Sequence, residues 1–340
     1  MTSRAFITGL SGLELTPSER AFLREALPWG LILFKRNIEN RNQIIEIISD
    51  FRDCIGRADA PVLIDQEGGR VQRLGPPHWP AYPSGHAYAA VYARDPVAGL
   101  EGARLGARLI AADLAELGIT VDCLPLADVP ARGADPIIGD RAYGQTPETV
   151  AAVARAMTEG LLEGGVLPVL KHLPGHGRAE ADSHERLPVV DADRSALEGV
   201  DFAAFRPLAD LPLGMTAHVV FSAIDPVRPA TTSATIISEV IRGFIGFDGA
   251  LMTDDLSMGA LAGPVGDRTR ESLRAGCDLA LHCNGDLAEM QAVAAEAPLL
   301  AGDAARRTTA ALAARRPAGD FDSTDARQRF AALMGERGAA

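Results

Sequence analysis

No window of this 340-residue chain approaches the roughly 18 consecutive apolar residues that a membrane helix needs. The opening stretch MTSRAFITGLSGLELTPSER has only short apolar runs and no small-residue cleavage site, so a secretory leader is not expected either. Basic residues are the minority: 33 Lys and Arg face 45 Asp and Glu, the net charge is −12, and no positive cluster occurs. Phosphate backbones are held by such clusters, so a nucleic-acid partner is disfavoured. Cysteine is scarce. Cys54, Cys123, Cys277 and Cys283 show no CxxC spacing and no dense framework, which suits core thiols in a reducing compartment and leads to the expectation of a cytoplasmic protein. Missing too are a G-x-G-x-x-G turn after the first apolar run, a Walker-type phosphate loop and a G-x-S-x-G elbow. Their absence removes the simplest nucleotide-binding and α/β-hydrolase readings.

What is present is an ordinary globular composition, 47% apolar and 23% charged, enough to bury a sizeable core. Short apolar runs alternate with longer segments of helical period almost from end to end, the signature of βα units and a parallel sheet. The candidate strands are Ala5 to Thr8, Gly30 to Phe34, Pro61 to Asp65, Ile119 to Cys123, Leu167 to Lys171, Leu213 to His218, Ala250 to Asp254 and Asp278 to Cys283. Between them, Thr16-Pro17-Ser18-Glu19 combines an N-cap, a proline at the first helical position and a capping-box glutamate. Ile44, Ile45, Ile47, Ile48 and Phe51 recur at helical spacing, and Thr146-Pro147 opens a helix continued by Val150, Val153, Met157 and Leu161. Further helices are expected near 101–117, 195–209, 235–244, 267–275 and 286–296, with two more after about 302. Eight strand-helix repeats predict an α/β protein with a closed (β/α)8 TIM barrel; a doubly wound open sheet shares the local pattern. No linker or shift in composition marks a boundary, so residues 1–340 are expected to form one catalytic domain. The longest irregular stretches, 66–99, 124–146, 172–194 and 219–234, each follow a candidate strand. In a barrel such loops gather on the C-terminal face, where active sites lie.

Asp65, Lys171, His218 and Asp254 each close an apolar run, and a charge at a strand end belongs at the rim of a barrel, in a shared pocket. A carboxylate held close to Lys or Arg stays ionised, which favours Asp254 as a nucleophile, while Asp255 is expected to cap the following helix. The segment from Lys171 to His184 holds His172, His176 and His184, three of seven histidines. A metal site is disfavoured, because His-x3-His ligation works on a helix and Pro174, Gly175 and Gly177 prevent one here. The better reading is a Gly-rich loop delivering an acid-base group, with Asp182 hydrogen-bonded to His184 so that the carboxylate favours imidazolium. His176 is expected to tie the loop down. In Asp65-Gln66-Glu67-Gly68-Gly69-Arg70-Val71-Gln72-Arg73, the glycine pair permits close backbone approach and Asp65 with Arg73 suits adjacent hydroxyls, although a solvated charged loop fits the same residues, as it does for Arg141. Rim groups of this kind point to a sugar.

These stretches, GLILFKRN (30–37), LIDQEGGRVQRL (63–74), residues 140–144, KHLPGHGRAEADSHERLP (171–188), Met215 to His218, FDGALMTDDLSM (247–258) and GCDLALHCN (276–284), resemble the single-domain β-N-acetylhexosaminidases of glycoside hydrolase family 3, the bacterial cell-wall recycling type. The resemblance spans nearly the whole chain. It implies a TIM barrel, a retaining mechanism with Asp254 as nucleophile, and Asp182 with His184 as the acid-base dyad. It also implies sugar-binding roles for Asp65, Arg73, Arg141, Lys171 and His172, with no cofactor and no metal. The substrates it implies are N-acetylglucosaminyl-anhydro-N-acetylmuramic acid and its peptides; the protein is expected to be a monomer. Glu180 and Glu185 are reserve candidates for the acid, and a β-glucosidase of the same family or a non-catalytic sugar-binding barrel are the rivals. The chain departs from the family pattern at Leu173, where phenylalanine is usual, at Arg178-Ala179, in place of Asp-Thr, and after Met258, where a glutamate is frequent.

Overall fold

Each apolar run forms a strand whose two faces are both buried. Ile7, Ile32, Leu63, Val121, Leu167, Val169, Leu213, Met215, Met252, Leu279 and Leu281 make one cluster, the lumen of a barrel. Their chain neighbours Phe6, Leu31, Leu33, Ile64, Leu170, Leu251 and Ala280 belong to a second cluster shared with the helices. A strand covered on both faces reads as continuous hydrophobicity, which is why these runs show no polar alternation.

The computed structural model describes residues 3–335. Its closed barrel contains β1 (Arg4–Thr8), β2 (Pro28–Leu33), β3 (Val62–Ile64), β4 (Val121–Asp122), β5 (Leu167–Leu173), β6 (Leu213–Thr216), β7 (Ala250–Asp255) and β8 (Leu279–His282), ordered as in the chain. All neighbours are parallel, and β8 closes on β1 with Phe6 opposite Ala280 and Ile7 opposite Leu281. The open-sheet alternative is thereby excluded. Every strand end lies within two residues of its sequence-based position.

The helices form where their caps stand. Thr16 Oγ1 accepts from the Glu19 N–H at 3.1 Å and Glu19 Oε2 accepts from the Thr16 N–H at 2.8 Å, starting α1 (Pro17–Ala26). In α2 (Arg41–Ile55), Asn40 caps the first turn, Gly56 at φ 65° ends the last, and Ile44, Ile47, Ile48 and Phe51 are buried. Burial on this scale is worth about 1.5–3 kcal/mol per large apolar side chain relative to exposure.

The stretch 66–99 is not a loop throughout. It holds a short antiparallel hairpin, Gln66–Gly68 with Val71–Gln72, and the helix α3 (Gly85–Arg94), while α4 (Pro96–Ala115) begins earlier than expected. Asp95 accepts from the Val97 and Ala98 N–H groups, so Asp95-Pro96 is a helix start that the periodicity alone concealed. The segment near 195–209 contains only the short helix Arg194–Ala196, a π-type turn over Leu197–Asp201 and a 3-10 turn at Arg206–Leu208. After α5 (Pro147–Glu163), the later helices run Val265–Ala275, Leu287–Glu296, Gly302–Ala313 and Ser323–Met334, with a π-type helix at Ile236–Ile245. The last helix packs on α3 and α4, its Phe330 ring 6.2 Å from that of Tyr88. Among the described residues no helix is long and apolar enough to cross a membrane, and all four cysteines are free and buried.

Candidate active site

The C-terminal ends of β3 and β5 bring opposite charges together below solvent. Lys171 Nζ lies 3.1 Å from Asp65 Oδ1 and 2.7 Å from Glu67 Oε1. Arg73 Nη2 donates to Asp65 Oδ2 at 2.8 Å, and Arg141 grips both oxygens of Glu67 through Nη2 and Nε at 2.8 and 2.9 Å. Gln66 holds the intervening hairpin, its Oε1 accepting from the Arg73 and Leu74 N–H groups and its own N–H reaching Asp122 Oδ1. Burial would raise both carboxyls, but the cations outweigh it: Lys171 and Arg73 hold Asp65 far below the usual carboxylate range, and Arg141 and Lys171 bring Glu67 down to about 2. At Asp122 burial outweighs the Gln66 N–H and the more distant Lys171 charge, and its carboxyl is pushed well up.

The Glu67 pair has a signed consequence for stability. Its folded pKa lies below the ordinary value of 4.5, so its contribution is fully present above that pH and is lost as pH falls toward about 2. Urea-unfolding free energies of the wild type and Glu67→Gln should therefore differ by a constant above pH 4.5 and converge below it. A difference that persists unchanged to about pH 2 would show that Glu67 is not held ionised by its neighbours.

A second buried carboxylate orders the start of the loop after β5. Asp128 Oδ2 lies 2.7 Å from His172 Nδ1, and its Oδ1 accepts from the His176 N–H at 2.6 Å. Burial would raise Asp128, but the two histidines lower it, so it is ionised and His172 Nδ1 is the donor. His176 Nε2 meets Ser183 Oγ at 3.0 Å, across the loop; burial lowers its pKa to about 4, which makes it a neutral tie. Farther along, His184 Nδ1 lies 2.8 Å from Asp182 Oδ1, which also accepts the His184 N–H at 2.8 Å. The His184 side chain is 63% exposed.

Asp254 is the penultimate residue of β7, its Oδ1 accepting from the Asp255 N–H at 2.8 Å. Burial opposes its ionisation, but His172, His218, that N–H and Lys171 prevail and lower its pKa, so Asp254 is held as an anion. Asp255 does not cap the next helix. Its carboxylate accepts from the Ser257 N–H and Oγ and from the Cys283 N–H, tying β7 to β8, and the next helix starts only at Val265. His218 also departs from expectation: it lies behind the rim, with Nε2 donating to the Asp255 carbonyl at 3.0 Å and Nδ1 at 2.7 Å from Thr231 Oγ1.

One cavity of about 280 Å³ collects Asp65, Arg73, Arg141, Lys171, His172, His184 and Asp254 on its walls, with Phe34, Ile137, Ile138 and Met258 as apolar lining. Asp182 stands behind His184; Glu180 and Glu185 do not reach the cavity wall. Two carboxylates outside the lining hold its residues from behind: Glu67 grips Arg141 and Lys171, and Asp128 grips His172. In the sequence Glu67 is only one carboxylate of a charged segment, but Asp128 carries a signal: a lone carboxylate in Leu124-Pro125-Leu126-Ala127-Asp128-Val129 has no place in an apolar run unless something buried needs it. Among the described residues no group of three or more His, Cys, Asp or Glu is arranged to hold a metal ion.

A barrel whose strand ends converge carboxylates, cations and imidazoles on one small polar cavity is an enzyme of the (β/α)8 class built for a hydroxyl-rich ligand. Residues 12–308 match the family model described as glycosyl hydrolase family 3 N terminal domain. Similar curated proteins include a β-hexosaminidase of Alkalilimnicola ehrlichii, 41% identical over 81% of this chain and 79% of its own, and one of Bordetella avium, 37% identical over 94% and 91%. Among solved structures, NagZ from Neisseria gonorrhoeae in complex with N-trifluoroacetyl-D-glucosamine matches at TM-score 0.87 and 29% identity, covering 98% of each chain. The chain belongs to glycosyl hydrolase family 3.

Proposed function

We propose that this glycoside hydrolase is a retaining β-N-acetylglucosaminidase that removes terminal, non-reducing N-acetylglucosamine from peptidoglycan turnover fragments, acting as a monomer in the cytoplasm. The observation that carries the reading is that His184, held by Asp182, and the anionic Asp254 line one cavity. The β-hexosaminidase relatives and the NagZ complex with an N-acylglucosamine support the sugar. At about 280 Å³ the cavity lies at the bottom of the roughly 300–1,000 Å³ range of small-molecule sites, which suits a single ring and cleavage from a chain end.

In this reading Asp65, Arg73, Arg141, Lys171 and His172 bind the sugar hydroxyls. The free oxygen of Asp254 attacks the anomeric carbon while the bond to the aglycone oxygen breaks. His184, whose Nδ1 is engaged by Asp182, gives that oxygen the proton from Nε2. A water then loses a proton to the same Nε2 and adds at the anomeric carbon, and the Asp254 ester bond breaks. Two inversions leave the configuration retained.

The test is hydrolysis of para-nitrophenyl N-acetyl-β-glucosaminide against the β-glucoside, by wild type and His184→Ala. Turnover should be confined to the N-acetyl substrate and fall roughly 10²- to 10⁴-fold in the variant with the unfolding midpoint unchanged. Preference for the glucoside would remove the N-acetyl assignment, and a fully active His184→Ala would remove the dyad.

A further inference from the structure

The loop that carries the dyad leaves β5 at Leu173 and rejoins regular structure at Val189, where a two-residue strand pairs with Val220–Phe221. Its stem lies on residues 129–135. The Ala131 and Asp135 N–H groups donate to the Gly177 and Ala179 carbonyls at 2.8 Å each, and a Cβ on Gly177 would fall 1.9 Å from the Val129 carbonyl oxygen. The stem also carries Arg178, whose Nε donates to Asp201 Oδ2 at 2.6 Å. Asp201 belongs to the π-type turn at Leu197–Asp201 and its side chain is 2% exposed. The tip of the loop rests on the chain just beyond Asp254. The Gly259 N–H donates to the His184 carbonyl and the Ala260 N–H to the Ser183 carbonyl, both at 3.1 Å. A Cβ on Gly259 would lie 2.8 Å from the carbonyl oxygens of both His184 and Glu185, so no larger residue fits there with the tip seated.

The imidazole of His184 is mostly exposed and, among the described residues, its ring has one side-chain hydrogen-bond partner, Asp182, on the same loop. Its position over the cavity is therefore only as fixed as the backbone beneath it. From this geometry we propose that Arg178, acting through the buried Asp201, and Gly259 are positioning residues that seat the loop and hold the Asp182–His184 pair at the cavity mouth. The inference rests on the reading of His184 as the acid-base group. A charge-assisted hydrogen bond onto a buried carboxylate is among the stronger side-chain contacts, and removing its donor leaves that carboxylate without a charged partner under the stem. Displacing a catalytic group by about 1 Å is enough to lower a rate roughly 10²-fold.

A positioning role differs from general loosening in its dependence on the leaving group. A 2,4-dinitrophenolate departs with little help from an acid, whereas a 4-methoxyphenolate needs the proton. For Arg178→Met, Asp201→Asn, the double variant and Gly259→Ala, kcat/KM on the 4-methoxyphenyl N-acetyl-β-glucosaminide should fall about 10- to 100-fold, and on the 2,4-dinitrophenyl one less than about threefold. The double variant should be no worse than the poorer single one, because the two residues act as a pair, and Arg178→Lys should recover part of the loss. Equal falls on both substrates, or none, would overturn the proposal. Should the wild type turn over neither N-acetylglucosaminide, the proposed function fails and this inference falls with it; a wild type active on both separates the two failures.

Discussion

On the proposed mechanism, Asp254→Ala is expected to lower kcat more than about 10³-fold while leaving the barrel folded, as removal of a nucleophile does in covalent enzymes. The carboxylate stands at the C-terminal end of β7, one residue before its last, and faces the cavity; among the described residues its one hydrogen bond is from a neighbouring N–H. Its ionisation is maintained by His172, His218 and Lys171 against the pull of burial. These neighbours remain after the substitution, and the buried Lys171 charge among them favours another anion in the vacated space. Added azide should occupy the vacated space and attack the anomeric carbon directly, yielding the glycosyl azide of inverted configuration from an activated aryl substrate. Retention of more than about a tenth of the wild-type rate by the alanine variant, with no azide product, would mean that another group attacks.

Lys171→Met should be the most destabilising single change in the site, by about 3–5 kcal/mol at pH 7, the range for stripping one partner from a buried ion network. Lys171 is almost wholly buried and, among the described residues, is the one cation that touches both Asp65 and Glu67. Methionine fills much of the volume but leaves the two carboxylates facing each other with one guanidinium apiece. Their pKa values should then move up toward and past the unfolded values. For a group whose folded pKa is raised, stability is present below the unfolded pKa and lost as pH rises, so the deficit should be largest near neutrality and shrink toward pH 4. Urea midpoints at several pH values measure it. Glu67→Gln placed on Lys171→Met should recover part of the loss; a pH-independent deficit would instead assign the effect to packing.

Much of the site was legible because catalysis forces residue types into places where folding alone would not put them. Asp254 after Ala250-Leu251-Met252-Thr253 and Lys171 after Leu167-Pro168-Val169-Leu170 are ionisable groups closing runs that are otherwise barrel lumen and helix contact. His218 has the same signature yet stands behind the rim, because β6 ends two residues earlier and its side chain turns onto Thr231 and the Asp255 carbonyl. The position of a strand's last residue decides rim or interior, and one or two residues are beyond what periodicity resolves.

Periodicity, caps and strand-end charges in the sequence determined eight βα units, the helices that Thr16, Asn40 and Thr146 begin, and the small set of residues able to do chemistry. These are local properties: a cap acts over three residues, and an apolar run declares burial wherever it ends up. Closure of the barrel and the pairing of charges were decided by tertiary structure. Arg141 meets Glu67 across 74 residues, His172 meets Asp128 across 44 and Lys171 meets Asp65 across 106. Arg178 was visible only as an oddity until the chain brought Asp201 beneath it. Coulomb attraction depends on distance and burial, and both are set by how distant loops return to one face of the barrel.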